Sequence, residues 1–252
     1  MTNIQEEVSG NMGLVAALLL FLSPLPTFQK IRRAHRVFQF SPDPYIINCM
    51  NCASWCLYAI ITPDRIQPLI TNGIGLLMNV TYVVLFLKNI NTDGGDHKNL
   101  SQRTLTKILY LFISLALLVV VVLIGVPHIL PSKWYLDGTV QETQTQIIGV
   151  FADVLNVGMY AGPLTVLSVV VKTESVQFMP LPLTIATLFC SCSWTWYSIV
   201  TSDIYIFIPN VIGICLGVIQ LFVYWWGFSR EKKKGANKED DKELLIEDVE
   251  ER

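Results

Sequence analysis

Two asparagines, Asn72 and Asn210, stand within long apolar stretches of the sequence. A buried amide without a partner costs on the order of a few kcal/mol, so polar residues at such positions usually face the interior of a helix bundle and often mark a path through it. Each amide offers N–H donors and a carbonyl acceptor, which suits the hydroxyl groups of a solute. The alternative is an interhelical hydrogen bond that only holds the bundle together.

A tryptophan precedes each of these asparagines. Trp55 lies 17 residues before Asn72, and Trp194 lies 16 residues before Asn210. An indole ring can cover the C–H face of a ring-shaped solute while its N–H stays available for a hydrogen bond. The alternative is a tryptophan at the membrane interface, as we expect for the pair 225–226.

Other chemistries find little support in the sequence. All six cysteines fall within apolar segments, where cysteine behaves as a small apolar residue. None of the three histidines stands near them, so we predict neither a metal site nor a cofactor. A membrane enzyme would need clustered acids or histidines, and a retinal protein would need a lysine that 204–229 lacks. We expect no nucleic-acid partner.

The elements that position these residues are seven transmembrane helices. The chain has 252 residues, of which 52% are hydrophobic and only 15% are charged, a balance unlike that of a soluble domain. A helix needs roughly 20 apolar residues to cross the hydrocarbon core. Segments of this kind lie near 12–31, 44–61, 68–88, 106–127, 147–171, 181–200 and 204–227.

The basic residues predict the orientation. With the N-terminus outside, 16 of the 18 lysines and arginines fall on the cytosolic side, and only Arg65 and Lys133 lie outside. The predicted division is an extracellular N-terminus (1–11), a first three-helix repeat (12–88), a cytosolic linker (89–105), a fourth helix (106–127), a second three-helix repeat (147–227) and a disordered cytosolic tail (228–252).

The two three-helix segments are repeats of each other. The stretch from Trp55 to Asn72 matches the stretch from Trp194 to Asn210 to within one residue. The matched pairs are Trp55 with Trp194, Tyr58 with Tyr197, Thr62 with Thr201, Asp64 with Asp203, Asn72 with Asn210, Pro24 with Pro163, and Pro44 with Pro180. Each copy holds an odd number of helices, so the fourth helix must invert the chain for the copies to run parallel. We therefore predict an all-α membrane protein with a 3+1+3 arrangement.

The sequence resembles the SWEET (MtN3/saliva) family over residues 10 to about 227. The first copy carries Ser23-Pro24, Asp43-Pro44-Tyr45, Asn51-Cys52 and Thr71-Asn72-Gly73, and the second carries Gly162-Pro163-Leu164, the string 172–180 and Ile208-Pro209-Asn210. The resemblance implies a sugar transporter that works by alternating access. The nearest rival of the same architecture is a PQ-loop amino-acid carrier, but leucine rather than glutamine follows Pro24 and Pro163.

The resemblance also implies residue roles. A bound sugar would lie among Asn72, Asn210, Trp55 and Trp194, with Asn51 and Cys190 lining the inner side of the pocket. Hinges for alternating access would be Pro24, Pro44, Pro163 and Pro180, although Pro44 and Pro180 also suit the start of a helix. An extracellular gate would be formed by Tyr58 and Asp203; its symmetric counterpart, Tyr197 with Asp64, is less expected because Asp64 suits a solvated loop.

A proton relay is not predicted. Apart from Asp153, which we expect near the membrane interface, no acid or base stands well inside a span. We therefore predict bidirectional facilitative transport of mono- or disaccharides by uniport, in the plasma membrane or, as the alternative, in an endomembrane. A seven-helix sensor that does not transport is a further alternative, and the resemblance suggests homo-oligomers.

Overall fold

The computed structural model describes residues 2–37, 40–90, 98–132, 135, 138–177 and 179–250, and in this part of the chain it contains helices and turns only. The helices are α1 (Thr2–Leu22), α2 (Leu25–Ala34), α3 (Asp43–Ile61), α4 (Ile66–Ile90), α5 (Lys98–Val120), α6 (Val126–His128), α7 (Val140–Met159), α8 (Ala161–Thr173), α9 (Leu181–Val200) and α10 (Ile204–Glu250). They form seven stretches long and apolar enough to cross a membrane, which confirms the predicted helix count. Most of the predicted linker, 91–97, lies outside the described residues.

The first and fifth spans are each broken near a proline that the resemblance suggested as a hinge. Proline cannot donate the hydrogen bond to the carbonyl four residues earlier. At Pro24 the orphaned carbonyl of Leu20 accepts instead from the backbone N–H of Ser23 at 3.2 Å and from its hydroxyl at 2.7 Å. In the fifth span α7 ends at Met159, the residue to which Pro163 would otherwise donate. Breaks thus separate α1 from α2 and α7 from α8.

The other two prolines lie at helix starts. Pro44 lies in the first turn of α3, and Pro180 is the residue that precedes α9, with an extended backbone. This is the position that a proline favours, because the first N–H groups of a helix have no intrahelical partner. The fourth span contains a π-helical turn, Val121–Gly125, which ends two residues before Pro127.

The helices form two bundles of three spans. In the first bundle α4 packs against both α1 and α3, and in the second α10 packs against α7, α8 and α9. Between the bundles, α1 contacts α9 and α3 contacts α7. The first span of each bundle therefore meets the second span of the other, as parallel repeats related by a twofold axis require. The inverting helix α5 packs against α3 and α4, so the predicted 3+1+3 arrangement is confirmed.

The two ends of the molecule differ in how the bundles meet. We call the end that carries Arg65, Thr201 and Asp203 the Arg65 end, and the opposite end, where α3 begins, the Asp43 end. The core cluster toward the Arg65 end combines both bundles and the fourth span, through Trp55, Tyr58, Val122, Ile148, Ala152, Trp194, Tyr197 and Ile206. Toward the Asp43 end each bundle has its own core, one around Phe28 and Phe86 and another around Leu167 and Val170.

The helix boundaries differ from the sequence expectation at both termini. Helix α1 begins at Thr2, within the predicted N-terminal segment, and α10 continues to Glu250 through most of the tail that we expected to be disordered. A shortage of apolar residues argues against packing but not against a helix, and a run rich in Glu and Lys has high helix propensity. Within α10, the turn at 231–234 contacts the α8–α9 loop, where Lys234 pairs with Glu174 at 2.8 Å and Glu231 accepts from the Val176 N–H at 3.2 Å.

Candidate substrate site

A cavity of about 340 Å³ lies between the two bundles. All six residues that we predicted around a bound solute line it, namely Asn51, Trp55, Asn72, Cys190, Trp194 and Asn210. None of the described residues that line this cavity is charged, and Asn48 and Asn156 bring the number of lining asparagines to five. The cavity is therefore suited to an uncharged, hydrogen-bonding solute.

The two central asparagines have equivalent geometry. The Asn72 amide donates to the carbonyl of Pro68 at 2.9 Å, and the Asn210 amide donates to the carbonyl of Ile206 at 2.7 Å. In both cases the acceptor lies one turn earlier in the same helix. Neither bond crosses between helices, so the bundle-holding interpretation is not what the structure shows for these two amides. Each side chain keeps a second N–H hydrogen and its oxygen for other partners.

The two tryptophans close one end of the cavity. Trp55 and Trp194 have exposed fractions of 5% and 9%. Each stands edge-on to a tyrosine one turn later, Trp55 to Tyr58 and Trp194 to Tyr197, with ring centroids 5.4 Å apart in both pairs. This burial excludes an interfacial role, and it contrasts with Trp225, which is 60% exposed. The four rings separate the cavity from the Arg65 end.

Three of the hydrogen bonds that join the bundles at the Arg65 end converge on Asp203. Its carboxylate accepts from the Tyr58 hydroxyl at 2.8 and 2.9 Å, and from Arg65 Nε at 2.7 Å. It also accepts from the backbone N–H groups of Tyr205 and Ile206 at the start of α10, a favourable position for an anion. Burial works to lower the pKa of the Arg65 guanidinium, but the bond to Asp203 and its charge outweigh burial and raise that pKa.

Further contacts hold the same end together. The hydroxyls of Thr62 and Thr145 lie 3.4 Å apart, and the Gln141 amide donates to the carbonyl of Ile61 at 2.9 Å. The symmetric counterpart of the gate does not form: Asp64 is exposed, and Tyr197 donates to Gln67 at 3.5 Å instead. The structure thus brings Tyr58 and Asp203 together as predicted and leaves Asp64 in the loop.

Comparison with known proteins decides the family. The model of the family described as sugar efflux transporters for intercellular exchange matches the chain twice, over 7–92 and 146–233. The chain belongs to this SWEET family. The bidirectional sugar transporter SWEET5 of Arabidopsis thaliana is 34% identical over 219 residues, which cover 86% of this chain and 84% of that protein. SWEET4 of Oryza sativa subsp. indica, another bidirectional sugar transporter, is 32% identical over 85% of this chain and 77% of its own.

A solved structure of a eukaryotic SWEET transporter matches with a TM-score of 0.78 and 28% identity, over 90% of this chain and 99% of that one. The gap between the two family matches contains the fourth span, as expected for an inverting helix outside both repeats. In this SWEET-family chain the four prolines lie at helix breaks or helix starts, but the hinge role itself stays a prediction.

The sequence did not lead us to several residues of the site. Arg65 has no counterpart in the second repeat, and neither Thr71 nor Tyr160 belongs to a matched pair that suggested a ligand. The environment of the half-buried Asp153 was also unexpected. One of its carboxylate oxygens is buried without a hydrogen-bond partner among the described residues, whereas an interfacial residue would meet water. Matching residue types between the two repeats identifies residues with the same role in both, but not residues that have a role in one repeat only.

Proposed function

We propose that this chain carries an uncharged sugar across a membrane by facilitated, alternating-access uniport and catalyses no reaction. One observation carries the proposal: a cavity lined by asparagine, and by no charged residue among those described, lies at the boundary between two parallel bundles that share a core at one end and have separate cores at the other. The names of the relatives, bidirectional sugar transporters, support sugar over an amino acid and transport over sensing.

In this proposal Asn72 and Asn210 bind hydroxyl groups of a mono- or disaccharide, and Trp55 and Trp194 cover its faces. The amides lie on opposite bundles, so motion of one bundle against the other changes the access to the sugar and not the groups that hold it. Asn51 and Cys190 line the side that faces the Asp43 end. The four prolines are the hinges, because the helices are interrupted or begin at these residues.

The Arg65 end is extracellular in the proposal and the Asp43 end is cytosolic. This orientation follows from the excess of lysine and arginine at the Asp43 end, and the plasma membrane is the proposed location. Homo-oligomers, which the family resemblance suggested, belong to the same proposal. Uniport is supported by the cavity lining, since none of the described residues in it carries a charge that could couple sugar to a proton.

The experiment is radiotracer uptake of glucose and sucrose by a transport-deficient cell that expresses the chain. Asn72→Ala and Asn210→Ala are each expected to lower uptake at low sugar concentration about fivefold or more, since each removes hydrogen bonds worth about 1 kcal/mol apiece. The matched control is Asn11→Ala, because Asn11 is exposed and does not line the cavity. Wild-type uptake by both cavity variants would refute the site.

A second arm tests uniport and the sensor alternative. In proteoliposomes with the purified chain, labelled sugar should equilibrate with the external concentration and not exceed it. A proton ionophore should leave the final level unchanged. Accumulation that the ionophore abolishes would refute uniport, and the absence of any flux would favour the sensor.

A further inference from the structure

Two buried oxygen atoms on the cavity wall have no hydrogen-bond partner among the described residues. They are Asn51 Oδ1 and Thr71 Oγ1, on residues that are 8% and 3% exposed. Both residues line the cavity. Buried polar side chains normally find a partner, so two orphans facing one cavity indicate that the partner is a ligand.

The orphan hydroxyl of Thr71 is unusual for a threonine in a helix. Such hydroxyls commonly donate to the carbonyl one turn earlier. Seven other helical threonines do so here: Thr81, Thr104, Thr106, Thr143, Thr165, Thr173 and Thr187. Thr187 also lines the cavity, yet its hydroxyl bonds to the Leu183 carbonyl at 2.9 Å. Thr71 therefore differs from these seven threonines, one of which lies on the same cavity.

The repeat shows that both orphans lie on one wall. The register that pairs Asn72 with Asn210 pairs Thr71 with Pro209, and the register that pairs Trp55 with Trp194 pairs Asn51 with Cys190. Neither counterpart carries a side-chain oxygen. In the second bundle the Pro209 carbonyl also accepts from the Tyr160 hydroxyl at 2.7 Å, whereas Phe21, the counterpart of Tyr160, has no hydroxyl. At these positions the second bundle offers no unpaired side-chain oxygen, whereas Thr71 and Asn51 of the first bundle offer one each.

We propose that Thr71 and Asn51 form a hydroxyl-binding subsite on the first-bundle wall, which holds a sugar in one orientation relative to the twofold axis of the repeats. The inference rests on the proposed sugar transport. Asn51 Oδ1 accepts from a sugar hydroxyl, and Thr71 Oγ1 donates to one or accepts from one. The two central asparagines are symmetric and cannot select between the two orientations of the sugar, but this pair can.

The test is competition between labelled glucose and analogues that each lack one hydroxyl group, measured in the wild type, Thr71→Val and Thr71→Ser. Thr71→Val keeps the shape and removes the hydroxyl. We expect it to raise the half-saturating glucose concentration about two- to tenfold, the range of one neutral hydrogen bond. One analogue lacks the sugar hydroxyl that contacts Thr71. The wild type and Thr71→Val should bind this analogue with equal affinity. Thr71→Ser should keep the wild-type pattern.

The matched control is Thr195→Val. The Thr195 hydroxyl oxygen is also buried without a partner, but Thr195 does not line the cavity, so its loss should not change the analogue pattern. A penalty in Thr71→Val that is equal for glucose and for every analogue would overturn the proposal, because it would reflect packing alone. If Thr71→Val does not reach the membrane, Thr71→Ala is measured against the same analogues. Failure of the proposed function would appear in the wild type, which would then carry no sugar.

Discussion

Replacing Tyr58 with Phe is expected to loosen the Arg65 end while its packing is preserved. The ring stands edge-on to Trp55 and Tyr205, with centroids 5.4 and 5.9 Å away, and phenylalanine can keep both contacts. The substitution removes only the hydroxyl that bonds to both oxygens of Asp203, while Arg65 still neutralises the carboxylate. A hydrogen bond to a charged group contributes about 1.5–3 kcal/mol. The population open at this end should therefore rise by roughly 10- to 150-fold, until it saturates.

Hydroxyl-radical footprinting can measure this shift on a residue that the substitution leaves in place. Tyr197 has an exposed fraction of 0% in the closed form, so its oxidation reports the open population. We expect oxidation of Tyr197 to rise at least several-fold in Tyr58→Phe. The control is Tyr110→Phe, which removes a hydroxyl from a residue that is 68% exposed on α5. An unchanged rate at Tyr197, or an equal rise in the control, would refute the assignment of Tyr58 and Asp203 as a closure.

Two further predictions use the same contacts. In the first, Thr62 and Thr145, whose hydroxyl oxygens lie 3.4 Å apart, are both replaced by cysteine. The two cysteines should form a disulfide on oxidation and abolish uptake until a reductant is added, whereas each single variant, as the control, should not respond. Full uptake by the oxidised double variant would contradict closure at this end. In the second, Gly75→Ala should destabilise the first bundle by about 1–3 kcal/mol, because the added Cβ would overlap with Phe21 and approach Cys52 Sγ to 3.0 Å. The control is Gly73→Ala, whose Cβ meets nothing within 4 Å. Equal thermal unfolding midpoints of the two variants in detergent would contradict the prediction.

The sequence alone was sufficient for the features that the two repeats share. Residues of rare type at matched positions must occupy equivalent places, so Trp55, Trp194, Asn72 and Asn210 could be predicted to meet at one cavity. The span count followed from the physical length of an apolar helix. The resemblance of the motifs supplied Tyr58 and Asp203, and the structure places them in contact.

Features used by one repeat only could not be predicted in this way. Arg65 was noted as one of two basic residues on the outer side, but its partner depends on how the two bundles pack. Helix starts were also misplaced: α7 begins at Val140, because Thr139 caps it by accepting from the Glu142 N–H at 3.1 Å. That motif of threonine followed three residues later by glutamate was present in the sequence, but a search for apolar segments does not detect it.

The asymmetry between the two ends determines which contacts between the bundles must be broken during transport. Each bundle has a separate core toward the Asp43 end, so moving the bundles there disturbs neither core. At the Arg65 end the core is shared, and the hydrogen bonds from Tyr58 and Arg65 across the boundary meet at one carboxylate. Opening that end must therefore expose buried aromatic rings and release Asp203 from Tyr58 and Arg65. Asp203 keeps its two backbone N–H partners within the second bundle, so the anion stays partly satisfied as the bundles separate. These two retained backbone hydrogen bonds lower the free energy required for opening. The exposed Asp64 has no such bonds among the described residues, so a symmetric gate there would lack this contribution.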